Sequence, residues 1–268
     1  MTGHIPEHLD GRYLRIGPNP IAEVDPATYH WFSGDGMVHG VRLRNGRAPS
    51  AATGLPYLWN DAYPARIGVM PRDGDNGDVR WFEIPPAWVF HPMNSYDTPD
   101  GRVVLDVIRH PKVFAANPSG FDDGAPRLER WTIHLATGRV DQEILDDRNQ
   151  EFPRIDERRT ARDYRFGYAP GSSAGPELLD TLIKHDLSAG TALTHQWGPG
   201  QRIGEFVFEP TTPEAAEDDG VLMGFVHDAA SDTSRLVIHD AQTLEEMASV
   251  HLPCRVPDGF HGNWVPTV

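Results

Sequence analysis

Residues 131–145, WTIHLATGRVDQEIL, read as an apolar strand, a short polar turn and a second strand, and the same order returns twice: LIKHDLSAGTALTHQW at 182–197 and LVIHDAQTLEEMASVHL at 236–252. Leu135, Leu187 and Ala241 hold equivalent places in the three units, so the period is about 50 residues, in the range of β-propeller blades. A strand pair of this kind buries its second face only against a neighbour. The repeat therefore predicts an all-β architecture of four-stranded blades set around an axis.

Working outward, EDDGVLMGFVHDAASDTSRLVIHD at 217–240 reads as another hairpin, and GPGQRIGEFVFEP at 198–210 as a turn leading into a strand. GRVVLDVIRHP at 101–111 alternates, with Val103, Leu105 and Val107 on one face. Two strands, 65–70 and 79–84, flank the acidic turn RDGDNGD at 72–78. Towards the N-terminus, GRYLRIGPNP at 11–20 is a strand running into a turn. YHWFSGDGMVHGVRLRNGRA at 29–48 gives strand, turn, strand, with Asn45-Gly46 as a hairpin signal. The one helix-like segment, LEEMASV at 244–250, is too short to stand alone and is assigned to the final blade.

Composition agrees with this reading. The 268 residues include 26 Gly and 24 Pro, which suits many short strands joined by tight turns. A net charge of −15 argues against nucleic acid, whose binders need a basic face to displace counterions from phosphate. The single cysteine, Cys254, excludes an intramolecular disulfide or a cysteine-rich metal site and is read as a small strand residue. No apolar run approaches the roughly 20 residues of a membrane span. The N-terminal MTGHIPEHLDGRY has neither the basic nor the apolar region of a secretion signal, so a soluble, cytoplasmic protein is expected. Neither a P-loop nor a dinucleotide fingerprint occurs, and no nucleophile elbow is expected.

Chemistry concentrates in EIPPAWVFHPMNSYD, residues 83–97, where His91 sits among Trp88, Val89, Phe90 and Met93. A histidine so placed is either a buried, singly hydrogen-bonded core residue or a metal ligand. His261, in VPDGFHGNW at 256–264, has a similar setting at the far end of the chain. Seven further histidines are read otherwise. His30 and His39 lie beside turn glycines, His227 and His239 at surface strand or turn positions, and His4 and His8 in an N-terminal tail. His110 lies at the end of a strand that carries it away from His91.

Six segments together resemble the carotenoid cleavage oxygenase family, which includes carotenoid, apocarotenoid and lignostilbene-type dioxygenases. They are GRYLRIGPNP, YHWFSGDGMVHGVRL, VFHPMNSYD, EFPRIDER, EDDGVLMGFV and PDGFHGNW, in family order. The resemblance implies descent from a seven-bladed β-propeller with iron(II), Fe(2+), held on its axis by four histidines. It also implies oxidative cleavage by dioxygen of a double bond in an apolar polyene or stilbene, with membrane contact possible through an apolar patch. By this resemblance His91 and His261 match two iron ligands. Glu151 matches a glutamate that hydrogen-bonds a ligand's other ring nitrogen, and Glu129 is a further candidate for that role. Trp88, Phe90, Met93, Phe152 and Trp264 either line an apolar substrate tunnel or pack between blades. The family's other two ligands belong between the 29–48 hairpin and the segment from Leu55. Only about ten residues, near 47–54, stand there, so one partial propeller spanning 1–268 with an internal deletion at that junction is expected. Its lone chain is expected to be inactive or nearly so. A propeller that binds carbohydrate or protein without chemistry is the alternative, and it would keep His91 and His261 apart.

Overall fold

The computed structural model describes residues 2–3, 11–16, 59–116, 124–173 and 178–266, and they are dominated by antiparallel strands. The hairpin at 29–48, the junction at 47–54 and His4, His8, His30 and His39 lie outside the described residues. Strands β1 (Thr2–Gly3) and β2 (Gly11–Ile16) are followed by the hairpin of β3 (Ala65–Val69) and β4 (Arg80–Ile84).

Then come the blades. The first is a meander of β5 (Trp88–Asp97), β6 (Arg102–His110), β7 (Arg127–His134) and β8 (Val140–Asp146). The second joins β9 (Arg154–Ile155), β10 (Phe166–Gly171), β11 (Thr181–Asp186) and β12 (Thr191–Gln196). In the third, β13 (Gln201–Ile203) and β14 (Val207–Pro210) both pair with β15 (Gly220–Asp228), which continues through β16 (Thr233–Asp240) and β17 (Glu246–His251) to β1. Finally β18 (His261–Pro266) pairs with β2.

The repeat read from the sequence is the hairpin between the last two strands of each blade. Leu135, Leu187 and Ala241 are each the first residue after the penultimate long strand, β7, β11 and β16 respectively. Each turn closes on the preceding strand, as in the bonds from Gly138 N–H to the His134 carbonyl and from Leu244 N–H to the Asp240 carbonyl.

The apolar core lies between blades. Met93, Ile108, Leu128, Ile155 and Tyr164 join the first blade to the second. Phe166, Tyr168, Leu182, Trp197, Phe206 and Leu222 belong to the cluster joining the second to the third. Val221, Met223, Ile238 and Ala248 use the third blade's other face, with Trp264 of β18 packed against them. Phe82 of the β3–β4 hairpin packs on Val103 and Ile133. Because a blade strand is covered on both sides, β6 does not have one buried face. Val104, Asp106 and Ile108 are buried as well as Val103 and Val107, while Leu105 is only partly so. Buried Asp106 is satisfied by two 2.8 Å bonds from Arg130 and one of 2.6 Å from the Tyr164 hydroxyl, which reaches across from the second blade.

The blades succeed one another at their innermost strands: β5 lies beside β9, β9 beside β14, and β14 beside β18. No sheet closes the ring among the described residues, so the molecule is an all-β partial propeller. Residues 246–250 are strand and not helix, since their partner β16 supplies the backbone bonds that a short isolated helix would lack. Cys254 is exposed in the irregular segment after β17, not on a strand. No helix among the described residues is long and apolar enough to cross a membrane.

Candidate metal centre

Each of the four innermost segments delivers one polar side chain to a common point. His91 comes from β5, where the pairing with β6 shifts register on both sides of Pro92. Proline cannot donate to the ladder, and irregularities of this kind re-aim a side chain away from plain alternation. Glu151 comes from the run-in to β9, just after the bridge between Gln150 and Gly171. Glu205 comes from the break between β13 and β14, and His261 is the first residue of β18.

His91 Nδ1 lies 2.6 Å from Glu151 Oε2, and His261 Nδ1 lies 3.0 Å from Glu205 Oε1. An ionised carboxylate only accepts, so each ring donates through Nδ1–H and its Nε2 carries a lone pair. Those two Nε2 atoms face each other at 3.2 Å. Two lone pairs at that separation repel unless a proton or a cation lies between them. Imidazole ligands about 2.0–2.1 Å from a metal are about 2.9 Å apart at a right angle and about 3.4 Å apart at the tetrahedral angle, which brackets the observed spacing. The donor set thus fits a metal ion. Among the described residues no group of three or more histidine, cysteine, aspartate or glutamate side chains is arranged to hold one.

The two carboxylates are held differently. Burial pushes the Glu151 carboxyl up, but hydrogen bonds from His110 and His91 outweigh it and hold the group below its ordinary value. Glu151 Oε1 accepts from His110 Nε2 at 2.7 Å, while Oε2 also takes the Phe152 N–H at 2.6 Å. Phe152 has φ of 52°, a left-handed conformation costing a non-glycine residue about 1–3 kcal/mol, which turns its amide back onto the preceding carboxylate. Buried Glu205 takes the Gly262 N–H at 2.8 Å and stands 3.3 Å from the Arg154 guanidinium.

His91 and His261 therefore meet, and Glu151 bonds His91. Glu129 does not join them. Its buried carboxylate accepts from Arg127 at 2.8 Å and from the Trp131 indole N–H at 2.9 Å, the residues two positions before and after it on β7. Among the aromatic side chains, Phe152 lies 4.8 Å from the His91 ring and 5.9 Å from His261, and Phe90 lies 6.4 Å from His91. Trp88 meets Phe90 at a tilt and Phe114 edge-on, with centroids 5.5 and 5.4 Å away. Met93 points the other way, into the cluster between the first two blades, where its sulphur sits against Gly167. Trp264 packs on the third blade. These last two are packing residues, because β-strand alternation and the break at Pro92 turn them from the axis.

Three sequence readings need correction. His110 is not remote from His91: β6 runs antiparallel to β5 and returns it opposite Trp88, within reach of Glu151. His239 is fully buried, with Nδ1 donating to the Leu244 carbonyl, because its strand is covered by a neighbouring blade. GSSAG at 171–175 does spell the letters of a nucleophile elbow, but the Ser173 hydroxyl donates to Asp180. Glu205 was missed altogether, although Gly204-Glu205-Phe206 follows a turn much as Gln150-Glu151-Phe152 does, and that shared Glu-Phe pair was the available signal.

A family model described as Retinal pigment epithelial membrane protein matches residues 1–53 and 49–266. The carotenoid cleavage oxygenase of Mycobacterium tuberculosis is 32% identical over an alignment of 469 positions covering all of this chain and 94% of the relative. Since this chain has 268 residues, a long internal stretch of that relative has no counterpart here. The apocarotenoid-15,15'-oxygenase of Synechocystis is 32% identical over 80% of this chain and 48% of its own length, and the isoeugenol monooxygenase of Pseudomonas putida 31% identical over 78% and 48%. Cobalt-substituted Synechocystis apocarotenoid oxygenase superposes with a TM-score of 0.71 at 28% identity, covering 78% of this chain and 46% of that one. The matched part thus spans about half the length of the Synechocystis and Pseudomonas proteins, and by sequence and fold alike the chain belongs to the carotenoid cleavage oxygenase family.

Proposed function

We propose that the chain binds iron(II) through His91 and His261 as a non-haem dioxygenase-type protein. Its substrate class is an apolar polyene or stilbene, a carotenoid or apocarotenoid included, whose carbon–carbon double bond is cleaved by dioxygen to carbonyl products. Activity is impaired, because two imidazoles stand where the family's pattern has four. The observation that carries this reading is the pair of facing Nε2 atoms 3.2 Å apart, each ring fixed at its other nitrogen by a glutamate.

When bound, the metal would supply open coordination positions for dioxygen, which imidazole ligands suit. The protein's own contribution is more specific. Glu151 and Glu205 fix both ring tautomers and place two negative charges behind two neutral ligands, offsetting the charge of a divalent ion. Phe90 and Phe152 present apolar rings beside the histidines, as a polyene requires. Loss of two ligands removes affinity and geometry together, since metal binding free energy comes from ligands already held in place. An internal junction at 47–54 belongs to the same proposal. It is supported by the two matched segments of the family model, which meet at 49–53.

Elemental analysis of purified protein beside H91A tests the reading. Iron present in the wild type and lost in the variant is the expected result. Protein without iron after reconstitution under reducing conditions would instead favour a propeller that binds a partner and does no chemistry.

A further inference from the structure

His110 is buried, lies one strand away from His91, and was not expected at the site. Its Nε2 stands 2.7 Å from Glu151 Oε1, on the carboxylate oxygen opposite the one that accepts from His91 at 2.6 Å. The ring is also clamped edge-on by Phe90, with centroids 5.1 Å apart. Glu151 therefore lies between two imidazoles on two adjacent strands, and the rotation that would free it from His91 is opposed on Oε1 by His110 and on Oε2 by the Phe152 N–H.

We infer that His110 is a positioning residue of the metal centre: by donating Nε2–H to Glu151 it fixes the carboxylate, and through it the Nδ1–H tautomer and orientation of His91. The contrast with the other half of the site supports this role. Glu205 is steadied by the Gly262 amide and the cationic Arg154. Each carboxylate also takes one backbone N–H, so the difference is guanidinium against imidazole: the delocalised cation on Glu205 draws more charge than a single imidazole N–H on Glu151, which leaves more of that carboxylate's charge directed at His91. The shorter histidine–glutamate contact, 2.6 Å against 3.0 Å, falls on the side steadied by His110. His91 is accordingly the stronger donor of the two ligands. The inference rests on the metal-binding reading for its consequence, but the tautomer it predicts exists without metal.

Two variants of similar volume separate donor from filler. H110Q keeps an N–H near the position of Nε2, and H110M keeps bulk without a donor. Histidine-labelled, metal-free proteins are compared by long-range proton–nitrogen correlation, which reads tautomers ring by ring, and cobalt(II) is then titrated in. Wild type and H110Q should hold His91 as the Nδ1–H tautomer and bind cobalt alike. H110M, with the rest of its spectrum unchanged, should mix tautomers and bind about 10–100-fold more weakly. The inference is overturned if H110M keeps the tautomer and the affinity, if H110Q falls as far as H110M, or if H110M alone fails to fold. Wild-type protein that binds no cobalt while the tautomers behave as expected overturns the metal reading and leaves His110's role standing.

Discussion

Histidine protonation sets the acid limit of this fold one residue at a time. His185 is buried on β11, its Nε2–H donating to Gln150 at 2.8 Å, and burial holds its pKa at about 4, below the ordinary 6.5, with Asp146 offsetting part of the effect. Between those values the unfolded chain carries a proton that the folded chain does not, so stability falls as pH drops through the window, by up to about 3 kcal/mol. Glu151 acts lower down. Its contribution is present above the ordinary 4.5 and is lost as pH falls through its lower folded value. Urea midpoints measured from pH 7 to pH 4 should show the first decline, and H185Q should flatten it by about one proton while sparing the more acidic limb. A slope unchanged in H185Q would assign the decline to other groups. None of this could be read from LIKHD, which fixes a strand but not what covers it.

At the scale of the element, the site depends on short segments pressed between blades. Glu205 and Phe206 cross directly over Gly224 of β15: a Cβ there would meet the Phe206 ring at 2.8 Å and the Glu205 carbonyl at 3.0 Å. The ring has nowhere to retreat, because it belongs to the cluster between the second and third blades. G224A should therefore cost about 1–3 kcal/mol by overpacking. It should also loosen the Glu205 hold on His261, so that denaturant midpoint and cobalt affinity fall together. A stable G224A with weakened cobalt binding would show that the β13–β14 segment shifts without unfolding, and no change in either measurement would contradict the packing described. The sequence made the three hairpins and both histidines legible, because strand period, turn residues and the GFHG and FHPMN motifs are local. It could not show that His110 returns to the site, since that depends on which strand lies opposite; the turn of Glu129 to Arg127 and Trp131 is instead a contact between alternate residues of one strand, which the spacing RLERW offered.

For the whole molecule, the N-terminal segment and the C-terminal blade form one unit. Strand β2 is the described partner of β18, in register from His261 opposite Ile16 to Pro266 opposite Gly11, and β1 extends the third blade beyond β17. His261, the proposed ligand at the chain's far end, is thus held by backbone bonds to residues near its beginning. Removing residues 1–16 should expose β18 and β17 as unpaired edges, which invite association with other chains. The truncated protein is expected to scatter light at concentrations where the full chain does not, and to lose cobalt binding through disorder at His261. Retained binding by a monodisperse truncated protein would mean that β18 holds its place without β2. Among the described residues, the region of the β3–β4 hairpin is the other exposed side. There Trp81 is 56% exposed beneath the Arg66 guanidinium, and Tyr63, just before β3, is 71% exposed.

By itself the sequence determined an all-β chain with a blade-length repeat, two histidines in aromatic settings and a set of motifs in family order. Periodicity, turn chemistry and motif order are properties of neighbours along the chain, so they survive without a structure. Only the tertiary structure decided that His91 and His261 face each other at 3.2 Å, that Glu151 and Glu205 stand behind them, and that His110 steadies one of the two. Residues 170 positions apart are brought together by the convergence of innermost strands, and that convergence is set by packing between blades.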